Sequence, residues 1–377
     1  MTVRIAVPRE TAPGEKRVAV VPAVAEQLTG RGAEIRMEPG AGAAAYFFDG
    51  DYHGVRMVAE TADLFGEADV VLKVQPPTLE EIESLGPETA LVSFLDPFGD
   101  AERVARLRDK GGTAFAMEQI PRISRAQSMD ALSSQANIAG YKAALIAADN
   151  APRFFPMLTT AAGTVRPAKV LVVGAGVAGL QAIATARRLG AVVSAYDVRP
   201  ETAEQVESLG ATFLRSEVVA GAEGGYAREL SQEEKRAEQA MLSEHIADMD
   251  AVITTAAIPG KRAPVLVRES DVTAMRPGSV IVDLAAETGG NCECTRAGEV
   301  MSHEDVTIIG PRNIPSQLPV HASEMYARNL ANFLDVLIRD GQFDPDWADE
   351  VVARTALTRN GRIVNDAVRS RVEGDDS

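Results

Sequence analysis

Two stretches of this 377-residue chain combine residue types and spacings that can do chemistry. The first is Lys169-Val-Leu-Val-Val-Gly-Ala-Gly-Val-Ala-Gly-Leu180, where Gly174, Gly176 and Gly179 fall in the spacing G-x-G-x-x-G. An apolar run precedes the glycines, and a helix is expected after them from about Val177 to Leu189. The first glycine permits the turn. The second lets a pyrophosphate approach the backbone, and the third lets helix and strand pack closely. The free N–H groups at the helix start would face the phosphates. Asp197 ends the next apolar run, Ala191–Tyr196, and lies 18 residues beyond Gly179. A carboxylate there would accept hydrogen bonds from a ribose 2′-OH and repel a 2′-phosphate, so the site is expected to take NAD(H) over NADP(H). The glycines alone would also suit a turn that binds nothing. The strand, the helix and the acid around them make the difference.

The second stretch is the polar run Met117–Asn137, which carries Arg122, Arg125, Gln127, Asp130 and Ser133 in a short space. Loops this long are uncommon unless functional. It lacks the Gly/Pro/Ser repetition of a linker and is expected to run into a helix starting near Ser134. No metal site is expected. The histidines His53, His245, His303 and His321 are scattered, and the only cysteines, Cys292 and Cys294, cannot build a disulfide framework or supply the second pair of a zinc site.

Alternating strands and helices position these stretches. Strands are expected at Val3–Val7, Glu34–Glu38, Ala68–Val74, Ala90–Leu95 and Thr113–Ala116, with a helix over Pro22–Arg31. After the polar run, a helix over Asn137–Ala148 leads to the glycine turn. Strands at Thr212–Leu214, Ala251–Thr255, Ser279–Asp283 and Val306–Ile309 complete a doubly wound parallel sheet. Between Leu214 and Ala251, Ala220-Gly-Ala-Glu-Gly-Gly-Tyr226 reads as a flap anchored by Tyr226, followed by a charged helix over Gln232–Ala247. A helix over Ser323–Ile338 then returns to the first domain, and Arg371–Ser377 is expected to fray. The fold class is α/β. Residues 1–125 with 317–377 form one domain, 126–136 a connecting active-site loop, and 137–316 the nucleotide-binding domain.

Composition narrows the classes. Hydrophobic residues make up 46% of the chain, which is globular rather than disordered. A formal net charge of −16 argues against nucleic acid or an anionic membrane surface as a partner. Met1–Pro8 reads as a charged strand, not a signal peptide, and Val170–Ala186 is too short to span a bilayer, so no membrane insertion and a reducing, cytoplasmic setting are expected.

Pro121-Arg-Ile-Ser-Arg-Ala-Gln-Ser-Met-Asp130 with Ser133-Ser-Gln135 resembles the interdomain loop of the NAD(H)-binding component of proton-translocating nicotinamide nucleotide transhydrogenases. The likeness extends through Thr159–Thr164, the glycine turn, Asp197-Val-Arg199, Gly224-Gly-Tyr226, Thr254–Lys261, Pro277–Asp283 and Gly289-Gly-Asn-Cys292. It implies two Rossmann-like domains with parallel sheets, the second inserted between the N-terminal segment and a returning C-terminal helical segment. It also implies direct hydride transfer from NADH held here to NADP⁺ on a partner subunit, coupled to proton translocation by a membrane-spanning subunit. A homodimer, peripheral on the cytoplasmic face, is implied as well. Such chemistry needs positioned rings and excluded water, not an acid, base or metal from the protein. By resemblance, Gln127 bridges toward the NADP(H) nicotinamide ribose, while Arg122, Asp130 and Ser133 fix the carboxamide and ribose of NAD(H). Asp197 holds the adenine ribose, and Gly225 with Tyr226 closes the flap. Ser128, Met129, Val177, Ala178, Val198, Arg199 and Ala257 join the cofactor-binding set with the three glycines. Arg125 has no separate role.

The competing reading is alanine dehydrogenase, which shares the opening Pro-Arg-Glu…Gly-Glu-Lys-Arg-Val-Ala. Arg17 and Lys73 match its keto-acid positions, but Asp96 stands where that family's histidine should fall, which removes the usual proton-transfer agent. A non-catalytic NAD(H) sensor is the remaining alternative. The exposed ribose-binding groups expected in the polar loop would be superfluous there.

Overall fold

The structure, a computed structural model, describes residues 2–215, 222–223, 226–227, 231–258 and 260–374. The strands in chain order are β1 (Arg4–Val7), β2 (Glu34–Met37), β3 (Arg56–Met57), β4 (Val70–Leu72), β5 (Ala90–Ser93), β6 (Thr113–Ala116), β7 (Leu158–Thr160), β8 (Gly163–Val165), β9 (Lys169–Val173), β10 (Val192–Tyr196) and β11 (Thr212–Phe213). They continue as β12 (Ala222–Glu223), β13 (Tyr226–Ala227), β14 (Ala251–Thr254), β15 (Val280–Asp283), β16 (Val300–His303), β17 (Val306–Ile309), β18 (Ile338–Arg339), β19 (Gln342–Phe343), β20 (Ala356–Arg359) and β21 (Arg362–Ile363). The chain divides into two compact units, Met1–Gln135 with Pro315–Ser377, and Ala136–Ile314.

The first unit is an eight-stranded sheet in the order β21-β20-β6-β5-β4-β1-β2-β3. Strands β1 to β6 run parallel. Their apolar runs suit burial on both faces, and Val70–Leu72 and Ala90–Ser93 are wholly buried. The helix Pro319–Leu337 lays Tyr326, Leu330, Phe333, Leu334 and Leu337 into one core with Val70, Leu72, Val92 and Phe115. The returning segment is not only helical. Strands β20 and β21 add antiparallel to β6. Asn360-Gly361 turns the β20–β21 hairpin with φ of 49° and 72°, and Asp340-Gly341 turns β18–β19 with the same two values. Positive φ at both turn positions is what a type I′ hairpin turn requires, and Asn-Gly and Asp-Gly supply it with little strain. Arg371–Glu373, expected to fray, close the helix Asp366–Glu373 instead, while residues 375–377 lie outside the described residues.

The second unit holds a seven-stranded sheet, β11-β10-β9-β14-β15-β17-β16. Numbered from β9, its six parallel strands follow the order 3-2-1-4-5-6 of a doubly wound dinucleotide-binding sheet, and β16 adds an antiparallel edge. The crossover point, where nucleotides bind in such sheets, lies between β9 and β14. Of the expected flap, β12 and β13 pair antiparallel. Gly225 and the side chain of Tyr226 lie outside the described residues.

The helix expected near Ser134 starts earlier and runs from Ala131 to Asn150. Asp130 explains the difference: its carboxylate accepts from the Ser133 backbone N–H at 2.8 Å and the Ser133 hydroxyl at 2.6 Å, which caps the helix start. Further along, Gly140 lies flat on the first turn of the helix Val177–Arg188. A Cβ built on Gly140 would sit 2.0 Å from the Ala178 carbonyl oxygen. Backbone cannot yield as a side chain can, so Gly140→Ala must part the two helices. It should cost about 1–3 kcal/mol as overpacking. A thermal melt of the variant should show a clearly lowered midpoint with unchanged far-ultraviolet circular dichroism. A midpoint equal to wild type would mean the helices separate at no cost.

Candidate functional site

The three glycines of the turn after β9 have three different structural reasons. Gly174 takes φ of 98°, donates its N–H to the Tyr196 carbonyl at 2.8 Å, and would clash with Thr255 Oγ1 if it carried a Cβ. Gly179 packs so closely that a Cβ would sit 1.8 Å from the Gly174 oxygen. Gly176 is different. A Cβ there would meet nothing nearer than Arg199 Nη2 at 4.0 Å. The turn is thus closed by its own chain at Gly174 and Gly179 and left open at Gly176. Gly176 caps the helix Val177–Arg188 without any side-chain hydrogen bond. The first N–H groups of a helix have no intrahelical partner, and at Val177 and Ala178 an anion's oxygens could take that place. Val177 is exposed and Ala178 half-buried.

Asp197 stands beside this turn but not as a bare charge. One oxygen accepts from the Ala175 N–H at 2.7 Å and from Arg199 Nη2 at 2.9 Å. The other accepts from Arg199 N and Nε, both at 2.9 Å. The guanidinium therefore shares the charge that was expected to repel a 2′-phosphate. Val198, half-buried between them, packs against the core formed by Leu171, Val173 and Tyr196.

The loop after β14 completes this wall. Thr255 Oγ1 donates to the Gly174 carbonyl at 3.0 Å, and Ala257 is exposed just beyond. Asn291 holds the loop from behind. Its side-chain oxygen accepts from the Ala256 N–H at 3.0 Å, and its Nδ2 donates to the Ala256 and Pro264 carbonyls, each at 2.8 Å. Asn291 is in turn fixed by Asp283, which is fully buried at the end of β15. Oδ1 of Asp283 accepts from Thr254 Oγ1 and the Ala285 N–H. Oδ2 accepts from the N–H groups of Asn291 and Cys292 and from Thr295 Oγ1. Motif spacing assigns no role to Asp283 or Asn291. An acid ending an apolar strand, eight residues before an Asn after two glycines, is the available signal.

In the other unit, the polar stretch is built of short helical turns. Met117–Gln119 and Ser124–Met129 are 3₁₀ helices. In the second, Ala126 and Met129 are buried one turn apart in the core. The Ser128 carbonyl accepts from Asn329 Nδ2 at 2.8 Å and Asn332 Nδ2 at 3.0 Å. Arg125 makes a two-pronged ion pair with Asp349, at 2.7 and 2.9 Å, and holds that carboxyl below its ordinary range. Arg125, given no role from sequence, is thus an anchor. Arg122, Gln127 and Ser128 are exposed, and Asp130 and Ser133 half-buried.

The two cations at the keto-acid positions are buried and paired. Arg17 donates Nε and Nη2 to the two Glu15 oxygens, at 2.8 and 2.6 Å, and Nη1 to Gln135 at 2.9 Å. Burial pushes the Glu15 carboxyl up, but the hydrogen bonds and charge of Arg17 win and bring it down to about 2. Lys73 donates to Glu81 at 2.8 Å and lies 3.6 Å from Glu10. Burial raises the Glu10 carboxyl, opposed by Lys73. Asp96 is exposed with φ of 46°, its N–H donated to Glu118 at 2.6 Å.

Comparison with known proteins agrees with this architecture. Residues 6–139 match the model of the alanine dehydrogenase/PNT N-terminal domain, and residues 143–366 that of the alanine dehydrogenase/PNT C-terminal domain. Over 383 residues the chain is 45% identical to an NAD(P) transhydrogenase subunit alpha polypeptide of Rhodospirillum rubrum, with 97% of this chain and 98% of that one covered. The crystal structure of transhydrogenase from Sinorhizobium meliloti matches with a TM-score of 0.85 at 44% identity, over 97% of this chain and 99% of that one. An L-alanine dehydrogenase structure matches almost as well in shape, with a TM-score of 0.84 over 99% of both chains, but at 27% identity. The chain belongs to the alanine dehydrogenase/PNT family.

Proposed function

We propose that this chain is the NAD(H)-binding subunit of a proton-translocating transhydrogenase, which passes hydride directly to NADP⁺ on a partner subunit. The observation that carries the nucleotide part of this reading is the turn open at Gly176 ahead of a helix whose N-terminus has no side-chain cap. Those groups fit a pyrophosphate: Gly176 admits it, the Val177 and Ala178 N–H groups hydrogen-bond it, and Asp197 takes the adenine ribose with Arg199 steering its carboxylate. When bound, NADH supplies the hydride from C4 of its dihydronicotinamide. The chain supplies position. Arg122, Asp130 and Ser133 take the carboxamide and ribose at the nicotinamide end, Gln127 bridges toward the NADP(H) ribose, and the flap at Gly225 and Tyr226 excludes water. Transfer between two nicotinamides moves two electrons with one hydrogen and leaves no proton for a side chain to handle.

The membrane-spanning and NADP(H)-binding subunits, and a place on the cytoplasmic face, follow from the same reading. No helix among the described residues is long and apolar enough to cross a membrane. A second copy of this chain fits the β7–β8 hairpin, whose residues are all exposed. Leu158 and Val165 pair across it, and Phe154 and Met157 are exposed beside it. Exposed apolar groups gathered on one hairpin support this reading.

The alanine dehydrogenase reading is opposed by Arg17 and Lys73, whose charges are already met by Glu15, Glu81 and Glu10. A keto acid would have to compete with buried carboxylates for both cations. Pyruvate and ammonia should therefore leave the absorbance of NADH unchanged in the presence of this chain; turnover would reinstate an amino-acid dehydrogenase.

Gln127→Asn retracts a positioning group by one methylene. NADH affinity should hold, while stopped-flow transfer to an NADP⁺ analogue on the partner component should fall by about 100-fold, the scale of a 1 Å misplacement. An unchanged rate would remove Gln127 from the transfer step. Asp197→Asn should weaken NADH binding by about 1–3 kcal/mol in a direct titration, the scale of a hydrogen bond to a charged group. Equal affinity would place the adenine ribose elsewhere.

A further inference from the structure

Glu269, Cys294 and His303 are far apart in sequence and serve no role in the nucleotide site, yet their side chains converge. Glu269 opens the short helix Glu269–Ala274, Cys294 lies in the Asp283-bound turn Asn291–Thr295, and His303 ends the edge strand β16. One carboxylate oxygen, the thiol sulfur and one ring nitrogen all lie within 4.8 Å of one another. The backbone fixes two of the three. Val267 N–H donates to the Asn291 carbonyl at 3.0 Å and Glu293 N–H to the Val267 carbonyl at 2.9 Å, which ties the approach to the helix to the cysteine turn. His303 is held by its pairing with Val306 across the β16–β17 hairpin, turned at Glu304 and Asp305 with φ of 47° and 58°.

The contacts of the His303 ring are poor hydrogen bonds. His303 Nε2 is 3.6 Å from Glu269 and 3.4 Å from Thr273 Oγ1, beyond the usual range. In a tetrahedral zinc site with bonds of about 2.0–2.3 Å, ligand atoms stand roughly 3.3–3.8 Å apart. The His303–Glu269 pair, at 3.6 Å, stands at that spacing, and all three ligand atoms lie within 4.8 Å of one another. One thiolate, one imidazole and one carboxylate suit Zn²⁺ and its relatives rather than Mg²⁺ or Ca²⁺, which take oxygen ligands. Cys292 is buried and is not among the converging groups.

We propose that Glu269, Cys294 and His303 form a site for a thiophilic divalent cation of the Zn²⁺ class, with water as the fourth ligand. Bound there, the ion cross-links the edge strand β16 to the turn that carries Asn291. Its role is to brace the sheet edge, and it has no role in hydride transfer.

The test uses the full chain, freed of metal and of any histidine tag, titrated with Co²⁺ as a spectroscopic stand-in. One equivalent should give tetrahedral visible bands with a near-ultraviolet thiolate-to-cobalt band, and one equivalent of Zn²⁺ should erase them. Cys294→Ser should lose the sulfur band, and His303→Gln should weaken Co²⁺ by more than about tenfold, both with wild-type circular dichroism. Cys292→Ser should keep the band. A wild-type spectrum without sulfur ligation, or a band that survives Cys294→Ser, overturns the site. If Cys294→Ser fails to fold, unchanged affinity in His303→Gln does so as well.

Discussion

The carboxylate of Asp283 is the point on which the second unit turns. It is fully buried and no cation touches it among the described residues. Such a charge is tolerable only when hydrogen bonds replace the water it has lost. Five donors do so, from the end of β14, the step after β15 and the turn Asn291–Thr295. Most of those donors belong to segments with no regular pairing of their own, so the carboxylate is what gives them a common geometry. Through Asn291 it sets the loop at Ala256, and through Thr255 that loop touches the Gly174 carbonyl. The cysteine turn hangs from one of the two oxygens, Oδ2. The nucleotide wall and the proposed cation site are thus two ends of one hydrogen-bonded structure, although only one of them concerns the cofactor.

The first unit handles buried charge in a different way, and the difference separates two chemistries. Arg17 and Lys73 are satisfied by Glu15, Glu81 and Glu10 rather than by backbone groups. A cation that is to grip a substrate carboxylate must keep donors for it. Here the guanidinium gives Nε and Nη2 to Glu15 and Nη1 to Gln135. Glu15, held at about 2, stays ionised until strongly acid pH. Its depressed value contributes stability that is present above the ordinary carboxylate range and lost as the pH falls toward 2. The same pairs that stabilise the unit occupy part of the donor set of both cations.

How much of this is legible in the sequence follows from what kind of signal each feature leaves. The glycine turn and its strand and helix are readable because three backbone constraints act within a few residues of each other. The hairpins at Asn360-Gly361 and Asp340-Gly341 are equally local, and their dipeptides are a usable signal. Their strands are two to four residues long and show little periodicity, which hides them from a reading led by hydrophobic pattern. The expected helix start near Ser134 is late because Asp130 reads as a ligand, and its second role as a cap leaves the same mark in the sequence. Asp283 and Asn291 leave only a short spacing that names no role, and Glu269 with Cys294 and His303 leave no local trace of their association. Sheet topology and long connections decide which of these residues meet, and no spacing along the chain encodes that.

The polar stretch Pro121–Gln135 shows why residue type alone misleads about roles. Arg125 and Gln127 are both polar, both exposed and two residues apart. Arg125 is committed to Asp349, whose carboxylate also caps the following helix, while Ala126 and Met129 are committed to the core and the Ser128 carbonyl to two asparagines. These commitments fix the 3₁₀ turn without using the side chain of Gln127. In the proposed reading that division is what direct hydride transfer demands. A reaction with no protein acid or base gains its rate from geometry, so the presenting group must stand on a segment that cannot drift. A 3₁₀ helix is poorly stabilised by its own hydrogen bonds, and here it is the tertiary anchors that supply the rigidity. Weakening an anchor would then slow transfer without touching either cofactor, as surely as changing the group it holds in place.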